Sequence, residues 1–318
     1  MLRAMDAAVA GLRAHQNKMD VVGHNIANVN TFGFKAQTFT FKEAMYQTAS
    51  SSTGGVSGDN AAGGSNAAQY GYGTLMGTIG MDMTASTPSY TGGFNATIDG
   101  EGFFMTLPTL AEDISTEDEA FKETLFDYTR VGQFTVDSQG YIVDGNNNFV
   151  YGFRPENPTD TKLGDDQKKK LVPLRAPENE TSWAPNGTDA TKLGNIQIDK
   201  NGKVTASIEV TDATTNTQVK KTITVGWVAI ATFQNPNGLT KVGNSYYNAL
   251  PDDNTGAASA TPPGGAASGL MTGYIEASNV DLAKEFADMI TTHRGFQANS
   301  KMITVSDEML SDLVSMKR

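Results

Sequence analysis

The chain has 318 residues, a formal net charge of −11 and no cysteine. The negative charge argues against a nucleic-acid partner, because phosphate binding needs a basic face, and the missing cysteine excludes disulfides, thiolate metal sites and thiol nucleophiles. No stretch approaches the roughly 20 apolar residues that span a bilayer, and the charged N-terminal segment lacks the apolar core of a secretory signal peptide, so we expect no membrane insertion and no export by that signal.

Five stretches follow one another along the chain. Residues 1 to about 30 predict a helix, and a Ser/Gly/Ala/Asn-rich stretch near 48–74 is typical of a mobile loop or linker. Residues 75–250 have the composition of strands and turns. A second soft stretch, 251–269, precedes a final predicted helix over 278–316. The order predicts an α+β fold with long helices at both ends of a mainly antiparallel β domain.

Both terminal helices carry apolar residues at heptad spacing, which favours helices that supercoil around partners. Two arrangements remain open: each helix packs on a domain of its own, or the helices pair with each other and with neighbouring subunits. The Gly-rich segments that separate them from the β region favour pairing as a coiled coil. The expected assembly residues are Leu2, Met5, Val9, Leu12, Met19 and Ile26 in the first helix and Leu282, Phe286, Met289, Phe296, Ile303, Leu310 and Val314 in the second.

The middle of the chain shows two hairpin signals and one long strand. Residues 134–136 and 141–143 flank a Gly-containing turn, and residues 196–198 and 204–208 flank an Asn-Gly turn. Residues 222–233 are rich in β-branched side chains and predict one strand. No alternation of strands with helices occurs here, so a sandwich-like or barrel-like antiparallel architecture is expected.

No constellation of residues typical of catalysis or of metal or cofactor binding is present. Asp144 begins a run similar to a calcium loop, but Phe149 stands at the sixth position and Pro155 at the twelfth, so a turn explains it better. Asp99 and Glu101 could form the carboxylate pair of a carbohydrate-active enzyme. They lie two residues apart on a Gly-flanked turn, which favours a structural role. We expect no enzyme, cofactor or metal; a β-sandwich enzyme and an adhesin are the competing classes.

Two terminal segments are more specific than any periodicity. Asn25-Ile-Ala-Asn28 followed by Asn30-Thr-Phe-Gly33-Phe34-Lys35, and Arg294-Gly-Phe-Gln-Ala-Asn299, resemble the motifs of the flagellar rod and hook axial protein family. Segments of the β region resemble the family in collinear order, and His24 is a departure where members commonly have Asn. The motif residues are Asn25, Asn28, Asn30, Gly33, Phe34, Lys35, Asn279, Arg294 and Asn299.

Within that family, the segment 294–299 and the Lys-Arg ending are similar to hook proteins, and the distal rod protein is the alternative. The resemblance implies a structural subunit that assembles with itself into a helical tube acting as a flexible joint for motility. It implies neighbouring rod and hook-junction proteins, a hook cap and the flagellar type III export apparatus as partners, and an extracellular hook location. The expected domains are a helical assembly domain with linkers, 1–75 and 270–318, and an outer β domain, 76–269, with 153–192 as a candidate insertion.

Overall fold

The computed structural model describes residues 2–55, 63–111, 114–116, 124–177, 183, 193–211, 218–251, 253–265 and 267–316, with only the backbone at Leu2, Val210, Thr211, Gln218 and Val219. The chain divides into two compact units. Unit 1 comprises residues 1–29, 36–82 and 280–318, and unit 2 comprises residues 30–35 and 83–279. The chain therefore passes from one unit to the other four times.

Unit 1 contains the two terminal helices and two antiparallel ribbons. Helix α1 covers Leu2–Ala27 and helix α2 covers Leu282–Met316. Strand β1 pairs with β4 and strand β2 pairs with β3. These strands are β1 Gln37–Glu43, β2 Tyr46–Ser50, β3 Ala68–Gly71 and β4 Thr74–Met81.

The ribbons occupy part of the stretch whose composition predicts a loop. Between β2 and β3, the Gln69 amide donates to the Thr48 hydroxyl at 3.1 Å, and the Tyr72 hydroxyl donates to the Gln47 side chain at 2.9 Å. Polar cross-strand pairs of this kind support a ladder that the Gly and Ser content alone does not reveal. Residues 56–62 of the predicted loop lie outside the described residues.

Unit 2 is built on antiparallel strand pairs. The main sheet runs in the order β14-β15-β16-β12-β7-β9-β19-β18, with β8, β10, β11, β13, β17 and β20 attached to it, while β6 pairs with β21 and β5 with β22. The observed secondary structure thus confirms the predicted α+β class with mostly antiparallel sheet. The first nine strands are β5 Pro88–Tyr90, β6 Ala96–Asp99, β7 Phe103–Leu107, β8 Ile114–Ser115, β9 Asp127–Thr129, β10 Phe134–Val136, β11 Ile142–Asp144, β12 Phe149–Phe153 and β13 Lys170–Pro173. The others are β14 Gln197–Ile198, β15 Lys203–Thr211, β16 Gln218–Val228, β17 Ile230–Phe233, β18 Thr240–Gly243, β19 Tyr246–Asn248, β20 Ala258–Thr261, β21 Gly269–Thr272 and β22 Tyr274–Glu276.

Both predicted hairpins form. Strand β10 pairs with β11 through a turn in which Gly140 has φ +81°, and β14 pairs with β15 through a turn in which Gly202 has φ +71°. Glycine adopts these left-handed angles without the steric penalty that a Cβ brings. The single strand expected over 222–233 is instead two strands, because β16 pairs with β12 and, after Ala229, β17 pairs with β7.

The core of unit 2 consists of apolar side chains from the central strands and their neighbours. Phe104, Val150, Leu174, Val225 and Ile230 have no exposed surface. Burial of this kind contributes about 1.5–3 kcal/mol for each large side chain. Of the candidate insertion 153–192, Lys170–Pro173 forms β13, and residues 178–182 and 184–192 lie outside the described residues.

Candidate assembly site on the terminal helices

Helices α1 and α2 pack against each other in opposite directions. The Asn25 amide donates to Glu285 Oε1 at 3.1 Å, and Lys18 Nζ lies 3.1 Å from Asp288 Oδ1. Near the start of α1, Gly11 faces Asn299. Residue numbers in α1 decrease along these three contacts while residue numbers in α2 increase, so the two helices are antiparallel.

Small and polar residues meet at several points between the two helices. A Cβ on Gly11 would lie 2.7 Å from Asn299 Nδ2, and a Cβ on Gly295 would lie 2.6 Å from His15 Cε1. The helices therefore approach each other closely at two positions, where a Cβ on the glycine would require the facing side chain to shift. Along α2, side chains that are buried or face α1 recur every seven residues; they are Glu285, Thr292, Asn299 and Ser306, and the small buried residues of α1 are Ala8, Gly11 and Ala14.

The residues of the predicted apolar repeat differ in exposure. On α2, Leu282 is 39% exposed, Phe286 is 50% exposed and Val314 is 71% exposed. On α1, Val9 is exposed, and of Leu2 only the backbone is described. The half-buried members of the predicted set are Met5, Leu12, Met19, Ile26, Met289, Phe296, Ile303 and Leu310. Within a single chain, these side chains leave much apolar surface in contact with water.

Further exposed apolar residues on α2 extend this surface beyond the predicted repeat. Some of these residues could have been found from the sequence, because Met302, Met309 and Met316 are spaced by seven residues. The full exposed set adds Ile290, Met302, Val305, Met309, Leu313 and Met316. Exposed apolar side chains therefore occupy several faces of this one long helix.

Asn25 is a motif residue that is buried within unit 1. Its side chain is 1% exposed. The amide nitrogen donates to the backbone oxygen of Gln37 at 2.8 Å, and the backbone nitrogen of Gln37 donates to Asn25 Oδ1 at 2.9 Å. Asn25 thus pairs with the start of β1 as a neighbouring strand would, while it also donates to Glu285. One side chain joins the end of α1, the start of α2 and the first ribbon.

Two titratable groups of the helix pair are shifted by burial. Burial raises the pKa of Glu285 above its ordinary value, and the hydrogen bond from Asn25 opposes this effect. Burial lowers the pKa of His15, and the nearby Lys18 lowers it further. Both shifts follow from the partial exclusion of water between the helices.

The motif residues Gly33, Phe34 and Lys35 lie in unit 2, as does Asn279. Gly33 has φ +66°, and its backbone nitrogen donates to the backbone oxygen of Glu276 at 2.9 Å. Lys35 is fully buried and its Nζ lies 2.7 Å from Glu276 Oε1. The backbone nitrogen of Asn279 donates to the backbone oxygen of Phe34 at 3.4 Å. The structure therefore brings the two terminal motifs together in one cluster around Glu276, which the sequence did not single out.

The other motif residues have separate positions. Asn28 Nδ2 donates to the backbone oxygen of His24 at 2.9 Å and so satisfies a carbonyl in the last turn of α1. Asn299 lies against Gly11, and Asn30 and Arg294 are exposed.

The residues considered for other chemistry have structural positions. Asp99 and Glu101 are exposed on a turn with glycines at φ +132°. Asp144 Oδ1 accepts hydrogen bonds from two backbone nitrogens at 2.9 Å, and Oδ2 accepts one from the Tyr246 hydroxyl, as expected in a side-chain-stabilised turn. Among the described residues, no group of three or more His, Cys, Asp or Glu could hold a metal ion, and no helix is long and apolar enough to cross a membrane.

Comparisons with known proteins agree with these motifs. Residues 5–35 match the family described as "Flagella basal body rod protein", and residues 271–316 match "Flagellar basal body rod FlgEFG protein C-terminal". The flagellar basal-body rod protein FlgG of Bacillus subtilis is 34% identical over 100% of both chains, and FlgG of Caulobacter vibrioides is 30% identical over 97% of both. The flagellar hook protein FlgE of Caulobacter vibrioides is 41% identical over 133 residues, which are 42% of this chain and 21% of that protein.

One explanation accounts for the paired terminal helices with their exposed apolar residues, for the two terminal motifs and for the relatives that match over nearly the whole chain. The chain belongs to the flagellar rod and hook axial protein family, whose members are structural rather than enzymatic and polymerise in the axis of the flagellum.

Proposed function

We propose that this chain is a subunit of the flagellar hook and that it polymerises through the apolar residues that α1 and α2 leave exposed. The observation that carries the proposal is the composition of the helix contact. Small and polar residues join the two helices within the chain, whereas large apolar residues such as Phe286, at 50% exposure, and Val314, at 71%, remain in water. Exposed apolar surface of this extent is a recognised property of interaction sites.

In the polymer, helices of neighbouring subunits cover these residues. A coiled-coil contact between subunits explains the seven-residue repeat, because such a repeat keeps one face of a helix against a partner over a long distance. Repeated contacts between different surfaces of identical subunits give a helical filament rather than a closed ring. The β-structure of unit 2 then forms the outer layer, and sliding between such outer layers permits bending while the helices hold the tube together.

The hook, rather than the distal rod, is the proposed location because the segment 294–299 is similar to hook proteins. The local 41% identity to a protein named as a hook protein supports the same choice. The Lys-Arg ending, which also favours it, lies outside the described residues. The distal rod is the second candidate, since relatives that match over their full length at 34% and 30% identity carry the name of a rod protein.

A hook subunit needs a route out of the cell and neighbours at both ends of the polymer. We propose export through the flagellar type III apparatus. We further propose contacts with the rod and hook-junction proteins and with a cap during growth.

Because the chain has no cysteine, a single introduced thiol can report its location. Thr161 is exposed, and the Lys220 side chain is 74% exposed. Flagella from cells that carry Thr161→Cys or Lys220→Cys would be isolated as hook–basal bodies, treated with gold-labelled maleimide and viewed by electron microscopy. Ala206→Cys, at a position that is 1% exposed, is the control for unfolded protein.

Gold along the curved external segment is the expected result. Gold confined to the straight rod would assign the chain to the rod instead and remove the bending role. An adhesin would keep its function after both terminal helices were deleted, whereas a subunit trimmed in this way should no longer polymerise.

A further inference from the structure

Glu276 is a buried carboxylate with contacts on both oxygens and on its own backbone. Its side chain is 2% exposed. Oε1 lies 2.7 Å from Lys35 Nζ and accepts a hydrogen bond from the backbone nitrogen of Ser86 at 3.0 Å. Oε2 lies 3.7 Å from Nε of Arg130, whose side chain is also 2% exposed. The backbone oxygen accepts from the nitrogen of Gly33.

These contacts join three separate stretches of unit 2. The chain enters and leaves this unit between residues 29 and 30, 35 and 36, 82 and 83, and 279 and 280. The stretches next to these four crossings are 30–35, 83–86 and 274–279, and Glu276 contacts or belongs to each of them.

Other bonds run directly between the same stretches. Lys35 Nζ donates to the backbone oxygen of Thr84 at 2.7 Å, and the Ser86 hydroxyl donates to the backbone oxygen of Ser278 at 2.9 Å. The three stretches therefore form one bonded group. Lys35 and Glu276 are 241 positions apart in the sequence, so a local turn cannot explain their contact.

The charges make this group sensitive to the loss of its carboxylate. Two buried cations lie close to the buried acid Glu276, with Lys35 Nζ at 2.7 Å and Arg130 Nε at 3.7 Å. Burial lowers the pKa of Arg130, and the charge of Glu276 opposes this shift. Removing one partner of a buried ion pair leaves an uncompensated charge, which costs far more than losing a surface pair. Without the charge of Glu276, both buried cations would lose this ion-pair partner.

We propose that Glu276 is a positioning residue that holds the four chain crossings to unit 2, so that the segments leading to α1, to the ribbons and to α2 share one anchor. An ion pair that only stabilised the core of unit 2 would not need to contact every stretch at which the chain enters or leaves it. The role does not depend on whether the polymer is hook or rod.

The test compares Glu276→Gln with Glu209→Gln in the full chain. Glu209 is an exposed acid, 59% exposed and 3.6 Å from Lys220, so the control removes the same charge without touching the buried group. Limited trypsin digestion measures the rate of cleavage of the Lys35–Ala36 bond, which is protected while Lys35 is buried. Cleavage after Lys200, which is exposed in the turn between β14 and β15, is the internal reference. We expect Glu276→Gln to accelerate cleavage after Lys35 at least tenfold, and Glu209→Gln to leave it unchanged.

Hydrogen exchange separates an anchor from a general stability determinant. In Glu276→Gln, exchange should rise in 30–35, 83–86 and 274–279 together, while the core strands β12 and β16 keep their protection. Lys35→Met is the second variant, because it removes the contact of Glu276 with Lys35 and keeps the contact with Arg130. Relative to Lys35→Met, Lys35→Arg should restore protection from exchange in the three stretches. Faster exchange that is confined to 274–279, or that spreads through the core in both Glu276→Gln and Lys35→Met, would overturn the proposal.

Discussion

Replacing Phe286 by alanine would measure how much one side chain of α2 contributes to polymerisation. A Phe side chain buries about 200 Å² when it is fully covered, and half of Phe286 is exposed in the single chain. Covering the other half in the polymer removes about 100 Å² from water, which is worth about 2.5 kcal/mol for each contact. Phe286→Ala should therefore raise the critical concentration for polymerisation roughly 60-fold.

The assay is sedimentation of the purified chain over a range of concentrations. Gln297→Ala is the control, because Gln297 is an exposed polar residue on the same helix. The stability of the monomer to urea should be the same in both variants, since both residues lie in α2, which we expect to fold only on assembly. A critical concentration for Phe286→Ala within twofold of the control would refute the role of this face in assembly.

Three further predictions concern the helix pair. Replacing Gly11 or Gly23 by Ala favours helix formation by about 1 kcal/mol, but a Cβ on Gly11 lies 2.7 Å from Asn299 Nδ2 and one on Gly23 has nothing within 4 Å. The Gly11→Ala polymer should therefore dissociate at a lower temperature than the Gly23→Ala polymer, and equal temperatures would contradict the close contact. Because burial raises the pKa of Glu285, its ionised form destabilises the folded helix pair above that pKa. The dissociation temperature of the polymer should therefore rise as the pH falls through the pKa of Glu285. Glu285→Gln should abolish this pH dependence. In the monomer, residues 1–30 and 282–318 should exchange amide hydrogens without protection, since isolated helices are marginal, and strong protection at low concentration would disprove folding coupled to assembly.

The sequence predicted the kinds of elements better than the contacts between them. Heptad spacing revealed both helices, and turn residues such as Gly140 and Gly202 revealed two hairpins, because these signals are local. The change of partner at Ala229 was not predictable from β-branched residues, which indicate a strand without indicating what it pairs with. The two ribbons were not predicted, because the composition of that stretch is typical of linkers.

The face of each helix that contacts the other was also beyond the sequence. The apolar spacing did not indicate that Gly11 and Asn299 meet within the chain. A large apolar repeat and a small polar repeat have the same period, and periodicity alone does not say which of them faces the same chain and which faces a neighbour. The contact of Lys35 with Glu276 was not predictable for another reason, since 241 positions separate the two residues in the sequence.

The antiparallel pairing of α1 and α2 has a further consequence for a tube built from such pairs. Each helix has a macrodipole equivalent to about half a positive charge at its N-terminus and half a negative charge at its C-terminus. In an antiparallel pair these dipoles oppose each other, and the C-terminal end of α1 lies beside the N-terminal end of α2, where Asn25 meets Glu285. A wall made of these pairs therefore has little electric field along its axis. An unfolded chain that travelled through the tube would be neither driven nor slowed by the backbone of the wall, whatever the sign of its own charge.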